Sequence, residues 1–321
     1  MDETAEPVLR APFPWFGGKS RIADLVWSRF GHVPNYVEPF FGSGAVLLGR
    51  PHEPGIETVN DLDGFVANFW RALQADPDGV AGAADWPVNE NDLHARHSWL
   101  VSQRQTLTAK LEGDPRYYDV QIAGWWVWGM ACWIAGGFCA GVGPWSVVDG
   151  HLVKGGAGRG VQRRLVHLGH AGRGVARDVE LVAWMQALAD RLRRVRVCCG
   201  DWSRICGPTP TVKQGLTGVL LDPPYADTAS RDADVYAVDS LTVAHDVRVW
   251  ALAHGDDPLM RIALCGYEGE HDMPPSWECV AWKTGGGYNK LGNGPGKDNS
   301  VRERVWFSPH CLKANQPGLP W

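Results

Sequence analysis

The sequence predicts an α/β fold, a mainly parallel sheet into which a long and mainly helical stretch is inserted. Three observations lead there. Val219-Leu220-Leu221 is an apolar run closed by Asp222-Pro223-Pro224-Tyr225, the pattern of a buried parallel strand with turn residues at its carboxyl end. Tyr36-Val37-Glu38 enters Pro39-Phe40-Phe41-Gly42-Ser43-Gly44 and then Ala45-Val46-Leu47-Leu48, which reads as strand, tight glycine turn and helix. A second strand, Ile56-Glu57-Thr58-Val59, closes on Asn60-Asp61-Leu62-Asp63. With 321 residues, 45% of them hydrophobic, the chain can bury one large core or two modest ones.

The remaining elements follow in order. A helix is expected from about Gly64 to Ala75, with Asp61 or Asp63 as its cap. Residues 76–177 form the insertion, with helices over Leu93 to Leu111 and over Asp119 to Ala135. A loop from Gly136 to Trp145 and a basic loop complete it. From Asp178 the sheet resumes: a helix through Val182, Met185, Leu188 and Leu192 leads into the strand Val195 to Cys199. After the Asp222 loop, residues 226–234 are polar, 242–254 read as helix, and Met260 to Cys265, Trp277 to Trp282 and Arg302 to Ser308 as strands. Residues 285–300 form a Gly/Asn loop in which Lys290 and Lys297 are possible DNA contacts, a plain hairpin connection being the other reading.

The chemistry concentrates in two places. An amino group conjugated into a base ring is a poor nucleophile because its lone pair is delocalised. A carboxylate and a backbone carbonyl that accept its two hydrogens free that pair, so Asp222, Pro223, Pro224 and Tyr225 are the catalytic candidates for methylation of such an amine. The prolines remove backbone donors from the loop, and Tyr225 offers a face on which a base can stack. At the other place, Gly42 and Gly44 let backbone approach a cofactor at a helix amino terminus. Asp61, about twenty residues further on at the end of the second strand, is placed to hold ribose hydroxyls, with Asp63 as its alternate.

Four stretches, in order, resemble the Dam-like (D12 class) DNA adenine-N6 methyltransferases. Pro14-Trp15-Phe16-Gly17-Gly18-Lys19 is similar to the family's Trp-x-Gly-Gly-Lys element, and Glu38 to Gly44 to its Phe-x-Gly-x-Gly motif. Asn60-Asp61 resembles its ribose-binding acid and Asp222 to Tyr225 its catalytic loop, with Gly200-Asp201-Trp202 a fainter match. The resemblance covers residues 12–75 and 178–310. It implies a Rossmann-like sheet dependent on S-adenosyl-L-methionine, split into residues 1–75 and 178–321, with a target-recognition domain over 76–177. It further implies a cofactor set of Trp15, Gly18, Lys19, Glu38, Phe40, Gly42, Gly44, Asp61, Asp201, Trp202 and Asp222. Within that set, Trp15 and Lys19 hold the amino-acid end, Asp201 and Trp202 frame the adenine, and Asp222 touches both cofactor and target amine. Many relatives carry a basic residue before the tryptophan, where this chain has Pro14.

Motif order narrows the chemistry. Roughly 180 residues separate the glycine turn from the Asp222 loop, far more than consecutive βαβ units need and more than is usual in guanine-N2 RNA enzymes with similar loops. Cytosine-C5 chemistry needs a nucleophilic cysteine, usually after a proline, and none of the 8 cysteines follows one. The loop specifies an amine and leaves adenine N6 and cytosine N4 both open; the resemblance favours adenine. A DNA-binding protein with an inactive methyltransferase fold is the alternative from another class.

The net charge of −5 does not announce a nucleic-acid binder, but its distribution does. Gly150 to Arg177 contains no acid and holds Lys154, Arg159, Arg163, Arg164, Arg173 and Arg177, the candidates for DNA contact; a solvated loop is the plainer reading. Residues 122–148 carry no charge and include five tryptophans. Six glycines from Gly124 to Gly143 make them a poor spanning helix, and a crossing would separate two motifs that must share one sheet. Double-stranded DNA is therefore the expected partner, with no membrane, no metal and a monomeric chain. The cysteines show no metal-binding spacing, and the acidic start is unlike a secretory signal; a cytoplasmic location is expected.

Overall fold

The computed structural model describes residues 9–15, 18–133, 138–139, 145–148, 151–154, 179–224, 242–282 and 302–314. Its centre is a seven-stranded sheet. The strands are β1 (Asn35–Glu38), β2 (Ile56–Asp61), β5 (Arg196–Cys199), β6 (Thr217–Leu221), β7 (Met260–Tyr267), β8 (Glu278–Ala281) and β9 (Glu303–Phe307), in the order β5-β2-β1-β6-β7-β9-β8. The first five are parallel, and β9 runs antiparallel to both β7 and β8. Every residue of β1 and β6 is buried, as expected of central strands covered on both faces. The chain passes from β1 outward to β2 and β5, then crosses to the other side of β1 as β6. Strand order therefore reverses between β1 and β6, where an α/β sheet opens a crevice at its carboxyl edge.

Helices cover the sheet. They are α1 (Ala23–Phe30), α2 (Ala45–Leu48), α3 (Gly64–Ala75), α4 (Pro77–Ala84), α5 (Glu90–Gly113), α6 (Val120–Cys132), α7 (Val179–Leu192) and α8 (Val243–His254). Each of α3 to α6 begins at an Asp or Asn side chain that accepts a backbone N–H of the first turn. Between β2 and β5 the chain leaves the sheet for all of α3 to α7. Helix α6 packs on α3 and α4, and its residues Trp126 and Trp128 lie in the same apolar core as Phe13, Phe69 and Trp70. Trp126 and Trp128 are thus core, with Trp125 and Trp133 packed against it, and Trp126 also reaches Trp15, with ring centroids 6.5 Å apart. No described helix is long and apolar enough to cross a membrane.

Three expectations about the insertion change. Trp145, expected in a loop, begins β3 (Trp145–Val148), and Lys154, expected in a basic loop, ends β4 (His151–Lys154). The two strands pair antiparallel across Asp149-Gly150. An Asp-Gly pair between short apolar-rich runs is a strong hairpin signal, and the glycine-rich surroundings hid it. The helix expected to reach Ala135 is helical to Cys132, with Trp133 already extended as its C-cap.

Candidate functional site

The carboxyl edge of the sheet gathers the acids. Glu38 ends β1, Asp61 ends β2, Asp201 follows β5 and Asp222 follows β6. They face a cavity of about 200 Å³, also lined by Trp15, Gly18, Lys19, Phe40, Gly42, Trp202 and Pro224. Of the residues expected at the cofactor, only Gly44 does not line it. Gly44 shapes the turn instead: its φ is 67°, and a Cβ there would lie 2.7 Å from the Phe41 ring.

Gly42 carries the turn's other constraint. Its φ is 47°, and a Cβ would stand 2.4 Å from Trp15 Nε1, so only glycine lets the tryptophan lie across the backbone. Its N–H donates to Asp61 Oδ2 at 2.8 Å, and its carbonyl accepts from Trp70 Nε1 at 2.9 Å. The other Asp61 oxygen accepts from the Asp63 N–H at 2.9 Å. The two acids divide the roles weighed for them. Asp63 caps α3 by accepting from the Phe65 N–H at 2.9 Å, while Asp61 ties the glycine turn to the end of β2 at the cavity wall.

Charge in the site is unbalanced. Lys19 Nζ meets Asp222 Oδ1 at 2.8 Å, and the lysine side chain is only 6% exposed. Burial alone would lower the lysine pKa, but Asp222 and Glu303 together hold it above the ordinary lysine range. Glu38 is buried, accepts a hydrogen bond from the Tyr36 hydroxyl at 2.8 Å, and has its pKa pushed well up by burial, with Asp222 and Asp61 adding to the rise. Burial, and then the charge of Asp63, raise Asp61 to about 7. Acids outnumber cations here, and a cationic guest would relieve them.

The aromatic wall is formed by Phe40 and Trp202, whose rings stack at 6.3 Å with 26° between their planes. Asp201 starts the turn Trp202–Ile205 by accepting from the Ser203 N–H at 2.9 Å, which orients the tryptophan beside it. Sequence reasoning missed Val243 and Asp246 of α8, which also line the cavity. They belong to no motif, and only the packing of α8 brings them there. Pro223 is buried next to Asp222. Tyr225, Arg159, Arg163, Arg164, Arg173 and Arg177 lie outside the described residues, as do Lys290 and Lys297; Lys154 ends β4.

Residues 15–109 match the model of the family described as D12 class N6 adenine-specific DNA methyltransferase. No curated protein matches the chain. The matched stretch holds Trp15, Lys19, the glycine turn and Asp61, and the sheet brings Asp222 to within 2.8 Å of that Lys19. Over that stretch the chain is similar to the D12 class N6 adenine-specific DNA methyltransferases.

Proposed function

We propose that the cavity binds S-adenosyl-L-methionine and that Asp222 presents a flipped adenine of double-stranded DNA to it. The charge imbalance of the site carries this reading. The cofactor has a sulfonium, an ammonium and one carboxylate, so its net positive charge favours ionisation of Glu38 and Asp61, which burial resists, in a cavity where Asp222 already pairs with Lys19. The Gly42 backbone, with no Cβ, adds a surface that a flat ligand can approach closely. When bound, the cofactor supplies a methyl group on a positively charged sulfur.

The residues then divide the work. Lys19 and Trp15 hold the amino-acid end, Asp61 accepts from the ribose hydroxyls, and Phe40, Asp201 and Trp202 frame the adenine ring. Asp222 and the Pro223 carbonyl accept the two hydrogens of the target N6 and turn its lone pair toward the methyl group. Tyr225 stacks on the flipped base. Positioning and polarisation supply most of the acceleration. Residues 76–177 act as the target-recognition domain, with Lys154, Arg159, Arg163, Arg164, Arg173 and Arg177 on the phosphates. A monomer working in the cytoplasm fits this reading.

Labelled methyl from the cofactor should appear in duplex DNA and be recovered after digestion as N6-methyladenine. Recovery as N4-methylcytosine would overturn the base assignment, and no label in DNA would overturn the reading itself. Two quantitative results follow. Hydrogen bonds from ribose hydroxyls favour the ionised form of Asp61, whose pKa in the empty protein is raised to about 7 by burial and by Asp63. Cofactor affinity measured by calorimetry therefore rises with pH, by up to about tenfold per unit below 7, and levels off above it. For the recognition domain, replacing Arg163 and Arg164 by Gln lowers the slope of log K against log salt by about 2 in DNA-binding titrations.

A further inference from the structure

Lys19 is not held by Asp222 alone. Glu303, near the start of β9, is 3% exposed, and Lys19 is 5% exposed. The β7–β9 register sets Glu303 opposite Tyr267, and Cys265 lies two residues before Tyr267 on the same face of β7. Cys265, Tyr267 and Glu303 all sense the Lys19 ammonium. Trp282 closes the group: its ring centroid is 5.5 Å from Lys19 Nζ, and its backbone N–H donates to the Glu303 backbone carbonyl at 3.2 Å. Strand alternation turns Arg304 away, to an ion pair with Glu268 at 2.8 Å. One ammonium from the start of the chain thus serves two acids from its last third, one after β6 and one on β9.

We propose that Glu303 is a positioning residue for the methyl transfer, sharing the Lys19 ammonium so that Asp222 stays a strong acceptor for the target amine. The inference rests on the function proposed above. A carboxylate that takes the whole of a buried ammonium's charge is a weaker acceptor for a second donor. With Glu303 neutral, Lys19 would lean wholly on Asp222. The pair would tighten, and the pKa of Asp222 would fall with its acceptor strength.

The test is single-turnover methyl transfer to duplex DNA across pH, with Glu303→Gln. Glu38 from β1, Asp61 from β2 and Cys265 and Tyr267 from β7 also face the site, and they are common to both proteins. The plateau rate should fall about tenfold and the acid limb move down by about one pH unit, with the cofactor dissociation constant within about threefold of wild type. Glu303→Asp should recover most of the rate. In a Lys19→Met background, adding Glu303→Gln should change the rate by less than about twofold, because the path through lysine is gone. If Glu303→Gln lowers the melting temperature, Glu303→Asp and the double variant still decide. An unmoved rate and limb, or an undiminished effect of Glu303→Gln without Lys19, overturns the proposal. Wild-type protein that leaves adenine unmodified overturns instead the functional reading beneath it.

Discussion

Asp222→Ala should lower single-turnover methyl transfer to DNA by about a thousandfold, close to 4 kcal/mol of lost transition-state stabilisation. The residue follows a fully buried strand, so its carboxylate is presented by backbone that has no room to shift. It is also held by Lys19 at 2.8 Å, which fixes its direction. In the function proposed above, alanine removes the carboxylate acceptor of the N6 amine, and Pro223 and Pro224 offer only neutral backbone carbonyls in its place. Asp222→Asn keeps one acceptor oxygen and should fall in between. The fold should survive either change, because Lys19 retains the buried carboxylate of Glu303 in its field. The loss should therefore appear in the rate, with cofactor affinity changing much less. Transfer by Asp222→Ala within tenfold of wild type would remove Asp222 from the mechanism.

What could be read from the sequence was what local chemistry announces. The strand before Asp222 was legible because an unbroken apolar run met two prolines, and β6 is that strand. Asp61 was legible from its distance to the glycine turn, and the hydrogen bond to the Gly42 N–H is the physical content of that spacing. The spacing favoured Asp61 over Asp63 at the cofactor but left either able to cap α3; the backbone geometry after β2 gives the cap to Asp63. Val243, Asp246 and Glu303 were invisible for another reason. Each reaches the site through helix packing or strand order, and no local pattern encodes that β9 inserts between β7 and β8. The β3–β4 hairpin had a signal in Asp149-Gly150, but the glycines around it made a loop the simpler reading.

Glu57→Ala should destabilise the protein by about 3–5 kcal/mol, the usual result of breaking a buried ion pair from one side. Glu57 is 2% exposed in the middle of the parallel sheet and carries two guanidinium groups. Arg50 meets its Oε1 at 3.1 Å, and Arg191 spans both oxygens at 2.7 and 2.9 Å. The same arginines donate to the Val33 carbonyl at 2.7 Å and the Leu47 carbonyl at 3.0 Å, so the cluster ties β2 to α2, to α7 and to the chain entering β1. Without the carboxylate, two cations would be left facing each other with little water. The expected consequence is a fall in melting temperature of about 5–10 °C by calorimetry. Glu57→Gln should cost less, since it keeps the shape and one acceptor. A triple replacement, Glu57→Leu with Arg50→Met and Arg191→Met, should recover most of the loss, because the desolvation of all three charges disappears together. Asp61, bonded to the glycine turn that follows β1, stands at the far end of the same strand, so cofactor binding should weaken in Glu57→Ala and return in the triple variant. A melting temperature unchanged by Glu57→Ala would show that the cluster contributes nothing net to the fold, and that the cofactor edge of β2 is held by its backbone pairing alone.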